Sequence, residues 1–361
     1  MTTRINAGLI AGSLAAIAAL SLATGGGVVS AQEAWTPQYV DGKLQPLADG
    51  FPNQSISLVV LDEPGSSDGV YARDMQSALR DISPVAIDVV DRGEVGTYPT
   101  WEALGWSADQ PDGDQGYFPI VYVLPGSILD LLTVPIERDL SVTMDDLNFV
   151  NVTEVTPYVV TSRKDAPWGN SFEKMVEYVK ANPGKVKYLS RSPGSGGYTA
   201  MERYSELKGL EFDKKVGGSH NEIQSAIGAG VADIGITQVE TAMTHWEAGK
   251  IEILMVTGDQ RAAAPWAEVP SAADMGMPGE PWAQNRGFAV NKAVSDEHRA
   301  WLFELFKAGS DTQAFKDART RLPGNALVML DHDQTRAMAD KAKEIAEPVI
   351  RKLGIHWDQQ K

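Results

Sequence analysis

Short runs of aliphatic and β-branched residues alternate along most of this chain with amphipathic helical runs, and loops of small residues join them. SISLVVL at 55–61, residues 85–90, YFPIVYVL at 117–124, VADIGIT at 231–237 and IEILMVT at 251–257 have the length and composition of buried strands. Helical periodicity covers Val70–Leu79, Phe172–Ala181, Ser219–Gly228 and Val239–Ala248, and then three segments in succession: Ser295–Lys307, Thr312–Leu322 and Asp333–Leu353. Asn182-Pro183-Gly184 stops one of these helices, and Ser219 with Glu222 forms a capping box at the start of another. Such alternation predicts an α/β chain built on parallel sheets, with ligands held at the carboxyl ends of the strands. Two further stretches, Phe149–Thr161 and Arg286–Val290, read as strands crossing between two domains.

Two of the small-residue loops lie at those strand ends. In KVKYLSRSPGSGGYTAMERY (185–204), a short strand passes through Ser190-Arg191-Ser192-Pro193-Gly194-Ser195-Gly196-Gly197 into a helix from Tyr198. This junction aims free backbone N–H groups and the positive end of a helix dipole at one point, an arrangement that favours an anion. Ser190, Ser192 and Ser195 add hydroxyl donors, and Arg191 adds a charged fork. Asp62-Glu63-Pro64-Gly65-Ser66-Ser67-Asp68-Gly69 repeats the strand–loop–helix pattern. A third strand ends in Pro125-Gly126-Ser127, and Gly96–Gly116, rich in Trp, Pro, Asp and Gly, reads as a surface excursion.

Arg4, an apolar run from Ala7 to Val29 and Val29-Ser30-Ala31 have the form of a cleaved secretory signal, residues 1–31. The remaining roughly 330 residues suit two domains. A net charge of −16 makes a poor ligand for nucleic acid or anionic membrane. The chain has no cysteine, which excludes disulfides, thiolate catalysis, cysteine zinc sites and a lipid-modified cysteine after the signal. An exported, untethered protein of this kind points to a periplasm.

Hydrolase chemistry finds no support. Pro193 occupies the place where a nucleophile elbow around Ser195 needs glycine, and the five histidines (His220, His245, His298, His332, His356) read as surface groups. Asp331-His332-Asp333 reads as a helix start rather than a metal site. No cofactor fingerprint is present. Trp282 precedes the crossing strand and is a candidate wall for an aromatic ligand.

ANPGKVKY at 181–188, AGVADIGIT at 229–237, HWEAGKIEILMVTGDQR at 245–261 and EVPSAADMGMPG at 268–279 occur in an order and spacing that resemble the solute-binding proteins of tripartite tricarboxylate transporters, the TctC or Bug family. The resemblance runs from about Ser55 to Ile355. It implies a two-domain, type II-like periplasmic binding protein. Its domain 1 is discontinuous (32–157 plus 286–361), its domain 2 spans 158–285, and a small organic carboxylate is held in the cleft between them. It also implies a monomer that serves large and small membrane subunits, with no catalysis and no cofactor. The family's first-jaw motif, P-F-P-P-G-G-x-x-D, matches Pro64, Gly65 and Ser67. It departs at Asp62, Glu63 and Ser66, and Asp68 is shifted by one place. The site expected from it comprises Pro64, Gly65, Ser66, Ser67, Asp68, Gly126 and Ser127 on one jaw. The other jaw carries Ser190, Arg191, Ser192, Gly194, Ser195, Ser219, Thr237 and Gln238, with Arg191 set to pair a second carboxylate. A periplasmic partner that presents ligand to a membrane sensor, or a secreted hydrolase, are the competing functions.

Overall fold

The strands expected from composition assemble into a mixed sheet rather than two purely parallel ones. The computed structural model describes residues 35–61, 66–92, 99–133, 143–277 and 282–359; the signal segment and residues 62–65 lie outside them. In chain order the elements are β1 (Tyr39–Val40), β2 (Lys43–Leu44), β3 (Ile56–Val60), α1 (Ser67–Leu79), β4 (Ile87–Asp91), α2 (Pro99–Ala108), β5 (Ile120–Leu124) and α3 (Gly126–Thr133). The long β6 (Leu147–Arg163) leads to α4 (Phe172–Ala181), β7 (Lys187–Ser190), α5 (Gly196–Lys208), β8 (Asp213–Val216), α6 (His220–Gly228), β9 (Ile234–Gln238), α7 (Val239–Glu247) and β10 (Ile251–Val256). β11 (Ala283–Asn291), α8 (Asp296–Asp311), α9 (Gln313–Thr320), β12 (Ala326–Leu330) and α10 (His332–Lys352) complete the chain.

β6 organises both halves. Its first part, to Pro157, runs antiparallel to β11, which in turn pairs antiparallel with β5 beside the parallel β3 and β4. From Tyr158 onward β6 changes partners and pairs with β9 and β10, and β9 continues to the parallel β7 and β8. The strand reads as it does because it is buried on both faces: fifteen of its seventeen positions are covered, Glu154 among them, and alternation disappears. A direction argument follows from these pairings. The carboxyl ends of β3 and β5 point the same way as β6, and the carboxyl end of β9 points against it. The two sets of loops therefore face each other near Pro157–Tyr158.

The main apolar core joins α3, β5, β6, α5 and α10, with Ile128, Leu124, Val152, Met201, Tyr204 and Ile350 all fully buried. A second cluster under α6 and α7 includes Ile223, Ile227, Val239 and Trp266.

One expectation fails here. The stretch read as a surface excursion contains α2, whose Trp101 and Leu104 enter the main core, while Thr100 Oγ1 lies 2.9 Å from Ser127 Oγ. Pro99 opens this helix and Gly105 lies inside it, while Asp109, Asp112, Asp114, Gly113 and Gly116 follow it. Trp282 is wholly buried in that same core. Trp101→Ala should cost about 3–5 kcal/mol by urea unfolding; a loss under about 1 kcal/mol would show α2 to be dispensable.

Candidate functional site

α1, α3, α5, α6 and α7 each begin at the carboxyl end of a strand, and the two halves meet at the starts of α1, α5 and α7 and at Thr133, the last residue of α3. Ser67 Oγ, on α1, donates to Gln238 Oε1 at the end of β9 (3.3 Å). Gly194, at φ +85°, brings the loop before α5 so close to α3 that a Cβ there would sit 2.9 Å from Thr133 Cγ2. Gly196 leaves room for the Tyr158 hydroxyl, which any larger residue would strike. These glycines let the chain pass where side chains have no space.

Below this meeting point lies a buried ionic network. Arg286 of β11 is fully buried, and every arm of its guanidinium is used. Nε donates to Asp68 Oδ1 (2.7 Å), Nη1 to Glu154 Oε1 (2.9 Å) and Glu240 Oε1 (3.4 Å), and Nη2 to Ser67 Oγ (2.8 Å) and Gln284 Oε1 (2.9 Å). Glu154 also accepts from Arg319 Nε (2.7 Å), Arg319 Nη2 (2.9 Å) and Asn325 Nδ2 (3.2 Å), and Arg319 Nη1 reaches Asp74 (3.1 Å). Burial raises the Glu154 carboxyl, but the charges of Arg319 and Arg286 outweigh it and hold the group ionised, below its ordinary value. Arg286 thus has no donor left over for a ligand.

The sequence-derived site residues divide by what they already bond. Pro64 and Gly65, like Asp62 and Glu63, lie outside the described residues. Ser66 and Ser219 spend their hydroxyls as helix caps, accepting from Gly69 N and Glu222 N. Asp68 is held by Arg286, Gln238 by Ser67, Ser127 by Thr100, and Thr237 by His220 Nδ1 at 3.0 Å. Gly126 opens α3. Ser190 is buried beside the Tyr188 hydroxyl, and the Ser192 carbonyl accepts from Ser195 N (3.1 Å). Arg191 is exposed and makes no salt bridge among the described residues. Ser195 N-caps α5 with no side-chain capping bond, and its buried Oγ has no partner.

Three more polar atoms share this condition on the opening turns of α5 and α6. Thr199 Oγ1, one turn beyond Ser195, and both amide atoms of Gln224, one turn beyond His220, are buried without partners. Residues four apart share a helix face, so Ser195 with Thr199 and His220 with Gln224 form two polar strips. Burial, aided by the Arg191 charge, depresses His220 to about 3, so the imidazole is neutral. Burial lifts Asp130, on α3, up to about 7 although Arg191 pulls it back down. Burial likewise pushes the Tyr158 phenol up to about 12.

The histidines depart from the surface reading. His245, His298 and His356 are buried, and His298 bridges the Gln115 carbonyl and Asp49 (both 2.7 Å). His356, past the end of α10, bonds Asp358 Oδ1 (2.7 Å), and His245 lies on the buried side of the amphipathic α7. Asp331 does cap α10, and His332 bonds the Phe149 carbonyl (2.9 Å). No metal-binding cluster occurs among the described residues. Arg286, Glu240, Asp130, Gln284 and Tyr158 were missed. Only Arg286 carried a signal, as a full charge inside an apolar crossing strand.

A mixed sheet shared by two lobes, with helix starts facing each other across it, defines a two-domain α/β periplasmic binding protein. Solved structures of the same fold include a Rhodopseudomonas palustris protein with adipate (19% identical, 85% of this chain and 99% of that one, TM-score 0.69). MatC of R. palustris with bound malate is another (17% identical, 83% and 100% covered, TM-score 0.64). Protein BugT of Bordetella pertussis is 23% identical over 325 residues, 85% of this chain and 91% of that protein. The model of the tripartite tricarboxylate transporter family receptor matches residues 130–355, and the chain belongs to that family of solute receptors.

Asp130 and His220 pull stability in opposite directions. The folded chain keeps a proton on Asp130 that the unfolded chain releases, so this contribution falls as pH rises from about 4 to about 7. The folded chain keeps His220 neutral where the unfolded chain protonates it, so that contribution falls as pH drops below about 6.5. Between about pH 4 and 6.5 the two oppose each other. Asp130→Asn should uncover a stability that rises with pH through this interval, and His220→Gln one that falls. Urea midpoints at stepped pH check this; three parallel curves would refute the burial of both groups.

Proposed function

We propose that this chain captures a small organic carboxylate between its lobes in the periplasm and delivers it to the membrane subunits of a tripartite tricarboxylate-type transporter. The observation that carries this reading is the set of buried, unpartnered donors on the first turns of α5 and α6, beside the unpaired Arg191. A buried polar atom without a partner costs about 1–3 kcal/mol, which a ligand oxygen arriving there would recover. The helix N-termini supply further N–H donors and a favourable potential for negative charge. Binding of adipate and malate by proteins of the same fold supports a carboxylate as ligand.

Capture would work by closure. A division at 157/158 and 285/286 would put the hinge where β6 changes partners and within the first residues of β11, where its pairing with β5 begins. Ser67–Gln238 and Asp68–Arg286–Glu240 then act as direct contacts between jaws, and the ligand adds to them the differential affinity that shifts the open–closed balance. The chain is taken to be exported, cleaved after Ala31, and monomeric. None of the described helices is long and apolar enough to cross a membrane. Catalysis is not part of the reading, since it assigns no nucleophile and His220, neutral and tied to Thr237, has no serine partner.

The test is a thermal-shift panel of di- and tricarboxylates, aromatic acids, amino acids and neutral sugars on the refolded mature chain, followed by titration calorimetry. A ligand at 100 times its Kd should stabilise by about 2.7 kcal/mol. Arg191→Ala should weaken the best carboxylate at least about tenfold, equivalent to 1.4 kcal/mol. A change within about twofold would remove Arg191 from the site, and a response confined to sugars would overturn the carboxylate reading.

A further inference from the structure

Asp130 stands in an unusual position for a carboxylate. It lies on α3, three residues before Thr133, and residues three apart share a helix face. Thr133 is the residue that abuts Gly194, so this face of α3 looks onto the loop that carries Arg191, Ser192 and Ser195. Thr133 Oγ1 itself turns back to the Leu129 carbonyl (2.8 Å). Asp130 has no such outlet: no hydrogen bond or salt bridge engages it among the described residues, and it is half-buried. Its carboxyl feels the Arg191 charge, yet the two make no ion pair. Arg191 and an acid that burial keeps partly protonated near neutral pH are therefore close enough to interact without an ion pair between them. A second carboxylate, Glu240 on the first turn of α7, has one oxygen on Arg286 and the other buried and unpartnered. The cleft thus presents orphan acceptors as well as orphan donors, and the buried arginines beside Glu240, Arg286 and Arg319, are already engaged by Asp68, Glu154 and Asp74.

Resting on the carboxylate reading above, we propose that the ligand is an amino-bearing carboxylate whose anionic end lies against Arg191 and the α5 N-terminus and whose protonated amine is held by Asp130. A plain dicarboxylate would set a second negative charge near Glu240 and oppose ionisation of Asp130, whereas an ammonium group would favour the ionised carboxylate. A cation placed there removes the cost of burying Asp130 without a partner, and the separation of Asp130 from Arg191 selects ligands with separated charges. Asp130 is on this account the residue that separates amino acids from the dicarboxylates bound by proteins of the same fold.

The experiment uses ligand pairs that differ by one amine: aspartate and succinate, glutamate and glutarate, 5-aminovalerate and valerate. Each is titrated calorimetrically into the mature chain, with adipate and malate alongside. In at least one pair the amino member should bind at least tenfold tighter to the wild-type chain. Asp130→Asn should bring that ratio to within about twofold, and Asp130→Glu should keep most of it, whereas Arg191→Gln should weaken both members alike. Thermal unfolding of each variant establishes that it is folded. Equal or tighter binding of the amine-free member in every pair overturns the proposal. A preference that survives in Asp130→Asn overturns the role of Asp130. If no acid in the set binds, the carboxylate reading falls and this inference falls with it, an outcome distinct from both others.

Discussion

The contact on which the rest of the architecture depends is Glu154 held between Arg286 and Arg319. All three side chains are buried, and they come from β6, β11 and α9, segments far apart in sequence. Taking such charges out of water costs several kcal/mol per ion, and the pairing repays this only when geometry and hydrogen bonding are nearly complete. Here they are: each Glu154 oxygen takes an arginine N–H, Asn325 adds another donor, and Thr156 orients Asn325 through a 2.7 Å hydrogen bond. The network contributes specificity of arrangement more than net stability, because a neighbouring strand register would leave one of the ions alone. Asp68 and Ser67 attach α1 to it, and Glu240 attaches α7, so both jaws are referred to one buried point.

The shape of the cleft then follows from strand direction. β6 passes through both halves as one strand, and its neighbours reverse direction relative to it at Tyr158. Helix N-termini that would otherwise point away from each other are brought to one place. Small residues let them approach: Gly194 beside Thr133, Gly196 beside Tyr158. Donors that cannot be satisfied within their own helices remain on that face. Each costs free energy in the folded chain that a partner placed there would recover.

Much of this was legible in the sequence. Val179 and the other inward positions of α4, the Ser219–Glu222 capping box, the double-sided burial of β6 and the loop before α5 all rest on local rules, and they occur where those rules put them. The family could also be read, because its segments are ordered along the chain. α2 and α3 escaped because their helical residues sit among proline, glycine and aspartate, and their packing partners Ser127 and Leu132 come from each other or from distant strands. The short β8 and β12 carry lysine or half-covered residues and no clear alternation.

The sequence by itself determined the elements, their alternation, the absence of thiol chemistry and the small-residue loops at strand ends, since all of these follow from composition and spacing over a few residues. Only the tertiary structure decided which loop groups are spent and which are free. Ser66 and Ser219 become caps while Ser195 stays unpartnered, and Arg286 is saturated while Arg191 is not. The reason is that a hydroxyl or a guanidinium has the same chemistry wherever it stands in the chain. What it can still offer a ligand depends on partners that residues such as Asp68, Glu154 and Thr133 bring from elsewhere in the fold.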